Sequence, residues 1–234
     1  MKIVKNIKET REYLSTCNKS STLFLFDIDN TIITTGSAFI QIIDKIKDLK
    51  TKFNDEELKE WYELLSDWRL QREVFLTDSE WPILLNELRH HNCYALTKTD
   101  VGKIGRIESM EEWRYNELKL MQIEFNNIFP ISHEASTLPI PLNIDNSTFF
   151  KGIFFVGDAS KGSIVEKLIK THQYDHVFFI DDKIEQLEDV RNTCDKLNIQ
   201  STLLQFQIDS VKIAKDFSEY ELAILNFLTQ YESD

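Results

Sequence analysis

The stretch TLFLFDIDNTIITTG, residues 22–36, decides how the chain reads. Five mostly apolar residues run straight into Asp27 and Asp29, and Thr31 follows two positions later. A strand that ends in a turn accounts for one aspartate, because Asp and Asn side chains bond the local backbone. It does not account for two. In an extended segment alternate residues point the same way, so Asp27 and Asp29 crowd like charges on one side, which raises a pKa unless a cation is near. The segment therefore predicts a buried strand that carries carboxylates to a sheet edge for chemistry.

Outward from that strand the pattern is α/β. A short helix is expected over residues 5–15. After Gly36 the apolar residues Phe39, Ile42, Ile43 and Ile46 recur at helical steps. A second helix begins near Asn54, with Leu58, Trp61, Leu64, Leu65 and Trp68 on one face. The spacing Thr77 to Glu80 predicts a third, opened by a capping box. The next strand is Cys93 to Leu96, followed by a helix from Ser109 to about Gln122. Residues 128–150 are the least regular and read as a loop or small extension. Then GIFFVG, HVFFI and TLLQF alternate with helices at Gly162–Lys170 and Ile184–Leu197, and Ser218 with Glu221 opens a closing helix. Apolar strands alternating with helices imply a parallel sheet covered on both faces, with ligands at the carboxyl ends of its strands.

Composition sets limits on partners. The 234 residues suit one domain with a small insertion, and 42% hydrophobic against 28% charged residues is ordinary for a globular protein. A net charge of −12 argues against nucleic acid or an anionic membrane as partner, since both reward clustered Lys and Arg. Cys17, Cys93 and Cys194 have no metal-ligand spacing and suit reduced thiols in a cytoplasmic protein. The N-terminal MKIVKNIKETREYL lacks the apolar core of a Sec signal, and no apolar run approaches about 18 residues. Specialised secretion escapes that test. Oligomeric state is open.

Polar residues follow the apolar strands repeatedly: Asp27 and Asp29 after TLFLF, Thr97 after CYAL, Asp181 and Asp182 after HVFFI. Ser160-Lys161-Gly162 stands where a helix begins. Clustered carboxylates with a hydroxyl and a lysine make sense together if the ligand is a phosphate and Mg2+ offsets the repulsion. DIDNT matches the DxDxT signature of the haloacid dehalogenase superfamily. Thr97, Lys161 and the Asp181-Asp182 pair resemble its second, third and fourth motifs in order. GIFF…SKG with FFIDDKIEQ looks like a bacterial branch of it.

That resemblance implies a Rossmann-like parallel core over residues 1–36 and 92–234, with a small helical cap at 37–91, and the activity of a Mg2+-dependent phosphatase. Asp27 would attack phosphorus and form an aspartyl-phosphate; Asp29 would protonate the leaving oxygen and then accept a proton from water. Thr97 and Lys161 would bind the phosphoryl oxygens, and Thr31 would support the loop. Asp182, with Asp27 and the Asp29 backbone carbonyl, would hold Mg2+, Asp181 assisting. Thr99 competes with Thr97, and Lys151 and Lys98 with Lys161. Asp158, after FFVG, competes with Asp182 for the metal; Asp182 is preferred because a helix and a strand separate it from Lys161. Gln186 stands where relatives place a further acid, with Glu185 beside it.

An insertion at this point in the family covers the active site and selects the substrate. The expected substrate is a phosphorylated small molecule or a phosphorylated protein side chain such as phosphotyrosine. The retained Asp29 argues against a dehalogenase, and none of Lys45, Lys47, Lys50, Lys52 or Lys59 stands out as a Schiff-base lysine for phosphonate cleavage. The rival readings are a catalytically silent binding protein and a phosphotransferase.

Overall fold

A computed structural model describes residues 1–35, 52–135, 137–208 and 217–231. The helix expected around Phe39 to Ile46, and Lys45, Lys47 and Lys50, lie outside them.

The elements run β1 (Lys2–Val4), α1 (Ile7–Leu14), β2 (Thr22–Phe26), β3 (Ile33–Thr34), α2 (Asp55–Gln71), β4 (Phe75–Leu76), α3 (Trp81–Leu88), β5 (Cys93–Thr97) and α4 (Met110–Leu120). There follow β6 (Ile140–Pro141), β7 (Thr148–Phe150), β8 (Ile153–Phe155), α5 (Lys161–Thr171), β9 (His176–Asp181), α6 (Ile184–Lys196), β10 (Gln200–Phe206) and α7 (Glu219–Leu228). An eight-stranded sheet has the order β1-β10-β9-β2-β5-β8-β7-β6. Strands β1 to β8 of that row pair in parallel, and β7 and β6 continue it antiparallel.

Strand β2 is wholly buried because both its faces are apolar, and its alternation shows which residue goes where. Phe24 and Phe26 pack with Ala95, Phe178 and Ile180 under α1 and α3. Leu23 and Leu25 pack with Tyr94, Leu96 and Phe179 under α5 and α6. The run therefore reads as continuous rather than alternating, as a strand covered on both sides should.

Several expectations need correction. Strand β1, three residues long, gave no periodic signal. The irregular segment carries β6 and β7, which extend the sheet. Thr77 and Glu80 form no capping box: the α3 N-cap is Glu80 without a side-chain bond. The Thr77 hydroxyl instead donates to the carbonyls of Thr31 (2.5 Å) and Ile32 (3.2 Å), and Trp81 Nε1 donates to it at 2.8 Å. Helices at Asn54 and Ser218 do open with complete capping boxes.

Within the segment 37–91 the two described helices pack against different partners. Trp81, Leu84, Leu85 and Leu88 of α3 lie in the sheet's own core. On α2, by contrast, Trp61, Leu65 and Trp68 pack against Ile224, Phe227 and Leu228 of α7, so the insertion's helix is clasped by the far end of the chain. Strands β3 and β4 pair as an antiparallel ribbon on either side of α2, Ile33 opposite Leu76. The three cysteines are free, and among the described residues no helix is long and apolar enough to cross a membrane.

Candidate functional site

From β2 the chain moves outward through β5 to β8, then returns to the other side of β2 for β9 and β10. The crevice between the carboxyl ends of β2 and β9 is thus the point where the winding reverses, the place where open α/β sheets bind ligands. Asp27 follows β2 there, Asp181 ends β9 and Asp182 comes next. One carboxylate oxygen from each of the three lies within 4.8 Å of the others.

Lys161 reaches the same point from the start of α5. Its ammonium, 1% exposed, donates to Asp27 Oδ1 at 2.5 Å and Asp181 Oδ2 at 2.6 Å. Local sequence explains the placement. Ser160 caps α5 by accepting from the Ser163 amide, which puts Lys161 at the first helical position. Gly162 lets α5 press onto α6, since a Cβ there would stand 2.6 Å from Asp189 Oδ1 and from Thr193 Oγ1. Its amide donates to Asp189 Oδ2 at 2.6 Å.

The charges are strongly coupled. Burial raises the pKa of Asp27; Lys161 opposes the rise, Asp181 and Asp29 add to it, and the carboxyl sits well above its ordinary range. Asp182 is also raised, by burial and then by Asp27 and Asp181. Burial works against the Lys161 charge, but Asp181 and Asp27 outweigh it and push the lysine up. Three carboxylates and one ammonium leave a surplus of hard oxygen donors, a donor set that could hold a metal cation.

These groups line a cavity of about 120 Å³ together with Asp29, Thr97, Thr99, Lys98, Gln186 and side chains of α2 and α4. Thr97 and Thr99 both face it with their hydroxyls 3.0 Å apart, so proximity does not separate them. Lys98 donates to the Ala159 carbonyl at 2.9 Å. Thr31 is buried, its hydroxyl unpartnered among the described residues. The competitors Asp158 and Lys151 are elsewhere: Asp158 is exposed and takes a hydrogen bond from Asn146, while Lys151 lies over the rings of Tyr115 and Phe150. Glu185 is exposed and Gln186 takes the cavity wall.

Asp29 stands apart from the carboxylate trio. It is about one-third exposed, and Arg114 Nη2 donates to its Oδ2 at 2.7 Å while Arg72 Nη2 lies 3.6 Å from Oδ1. Burial alone would raise its pKa, but Arg114, Arg72 and Arg69 together hold it below the usual carboxylate range. Glu117 ties the arrangement from behind, bidentate to Arg72 at 3.0 and 2.9 Å and bonded to Arg114 at 2.5 Å. None of these arginines was singled out from sequence. Arg114 and Glu117 are three apart on α4, and Arg72, the cap of α2, stands three past Arg69, the ordinary spacing of a solvated charged face. Only the docking of α2 and α4 over the strand ends turns them inward.

Searches of curated proteins and of solved structures gave no match to the chain. A family model matches residues 3–232, nearly its full length. The chain that builds this carboxylate crevice therefore belongs to the family described as "Protein of unknown function (DUF2608)".

Proposed function

We propose that this chain is a magnesium-dependent phosphatase that hydrolyses a phosphomonoester through an aspartyl-phosphate on Asp27. The observation that carries the reading is the convergence of Asp27, Asp181 and Asp182 within 4.8 Å at the reversal of the sheet, with Lys161 bonded to two of them.

Asp27, Asp181 and Asp182 would hold the metal, and Mg2+ would supply charge neutralisation at the phosphoryl oxygens. The remaining work belongs to the chain. An Asp27 oxygen attacks phosphorus in line as the bond to the leaving oxygen breaks, and Asp29 gives that oxygen its proton. Water then attacks the phosphoryl group, losing its proton to Asp29, and the bond to Asp27 breaks to release phosphate. Lys161 and Thr97 hold phosphoryl oxygens, so positioning and charge stabilisation do most of the catalysis. The pairing with Arg114 favours the ionised form of Asp29, the form needed to accept the proton from water. Donation in the first step requires that pairing to loosen.

Release of p-nitrophenol from its phosphate ester tests the proposal. Turnover that needs Mg2+, is stopped by chelator and falls by at least about 10³-fold in Asp27→Asn is the expected result. The lock on Asp29 favours a second reading, a binding protein without turnover. Mg2+ binding with no hydrolysis of any phosphomonoester would support that instead, and transfer to an acceptor other than water would make the protein a phosphotransferase.

A further inference from the structure

Three of the chain's seven arginines line the cavity that also holds Asp27 and Lys161, in a protein whose net charge is −12. Arg69 and Arg72 come from the end of α2 and Arg114 from α4. The indole of Trp113 packs against all three guanidinium groups, at 5.8, 5.1 and 4.9 Å, and Trp68 backs Arg72 at 5.0 Å. Such a stack fixes the planar forks before any ligand arrives.

The forks are not used up by the protein. Each guanidinium has five N–H groups to give and makes two hydrogen bonds among the described residues. Arg114 is only 2% exposed, and its Nε is buried without a partner among the described residues. One of the two bonds from Arg69 goes to the thioether of Met110, a weak acceptor, at 3.4 Å. Burial lowers the pKa of the Arg69 guanidinium more than Asp100 raises it, and Arg72 and Arg114 add to the fall. Glu117 grips Arg72 and Arg114 from behind, which holds the forks in place facing the cavity.

We propose that Arg69, Arg72 and Arg114 form a second anion subsite beside Asp27, so that the substrate is a small phosphomonoester bearing another anionic group, a carboxylate or a second phosphate. This rests on the phosphatase reading for the fate of the first phosphate. The forks match the planar oxygens of a carboxylate or the oxygen pairs of a phosphate.

The test compares kcat/KM on three probes with the full chain and Mg2+: ethyl phosphate, 2-phosphoglycolate and propane-1,3-diyl bisphosphate. The better two-anion probe is expected to exceed ethyl phosphate by about 10- to 100-fold, the effect of a charge-assisted pair, and the winner tells carboxylate from phosphate. Arg69→Gln and Arg72→Gln should each collapse the ratio toward one. Arg72→Gln strips a buried partner from Glu117; should it fail to fold, Arg69→Gln, at a more exposed position, carries the test. Equal activity on the three probes overturns the subsite and leaves the phosphatase standing, and a preference that survives in the folded variants overturns the assignment to these arginines. If no probe is hydrolysed, release of p-nitrophenol decides the phosphatase reading separately, and calorimetry of the same probes with Mg2+-loaded wild type and variants decides the subsite: tighter two-anion binding lost in the variants supports it, and equal binding overturns it.

Discussion

Lys161 is the residue on which the charge balance of the crevice turns. Its ammonium is bonded to two of the carboxylate trio, Asp27 and Asp181, and is buried with them. Removing one partner from a buried charge network costs about 3–5 kcal/mol, because the charge left behind has no compensation. Lys161→Met should therefore lower the urea midpoint clearly in chelator. Mg2+ should then stabilise the variant more than it stabilises the wild type, since the ion would supply the missing positive charge. Equal stabilisation of the two proteins by Mg2+ would mean that the ion binds away from these aspartates. The same charge logic explains why Asp27 with Asp29 was legible as unusual in the sequence while Asp29's partners were not. Two like charges one residue apart are a local fact; the arginines that answer them come from 43 and 85 positions downstream.

At the scale of elements, the start of α5 shows how a local motif sets a site. Ser160 caps, Lys161 enters the crevice and Gly162 permits contact with α6. In Gly162→Ala the new methyl would meet Asp189 and Thr193 at 2.6 Å, displacing the amide bond to Asp189. Overpacking of this kind costs about 1–3 kcal/mol, which for a chain of this length is a fall in Tm of roughly 2–12 °C. Activity should fall further than stability explains, because the displaced turn carries Lys161. A scanning calorimetry trace and kcat on one preparation check both halves. The Thr77 to Glu80 segment gives the opposite lesson. Its spacing matched a capping box, yet Thr77 is taken by the Thr31 and Ile32 carbonyls, so a tertiary bond displaced the local one.

For the whole molecule, the main consequence is that α7 clasps α2. Trp61 is 1% exposed and sits with Phe53, Phe227 and Tyr231 in an aromatic cluster between residues far apart in sequence. Trp61→Ala should cost about 3–5 kcal/mol and loosen the helix that carries Arg69 and Arg72. Hydrogen exchange is expected to rise in α2 and α7 while β2, β5 and β9 keep their protection, because the sheet's two cores do not include this cluster. Uniform loss of protection would show instead that α2 and the sheet unfold as one unit.

The choice of Lys161 over Lys151 and of Asp182 over Asp158 rested on the family resemblance, while by itself the sequence determined the parallel sheet and the strand ends that carry Asp27, Thr97, Asp181 and Asp182. The reason is that these features obey short-range rules: two-faced apolar strands must be covered by helices, and such sheets gather the residues just past their strands at one edge. Only the tertiary structure decided that Asp158 and Lys151 lie outside the crevice, that α3 belongs to the core, and that three arginines form the wall facing Asp27. Those outcomes depend on how α2 and α4 dock, and helical periodicity tells which residues share a face without telling what that face will meet.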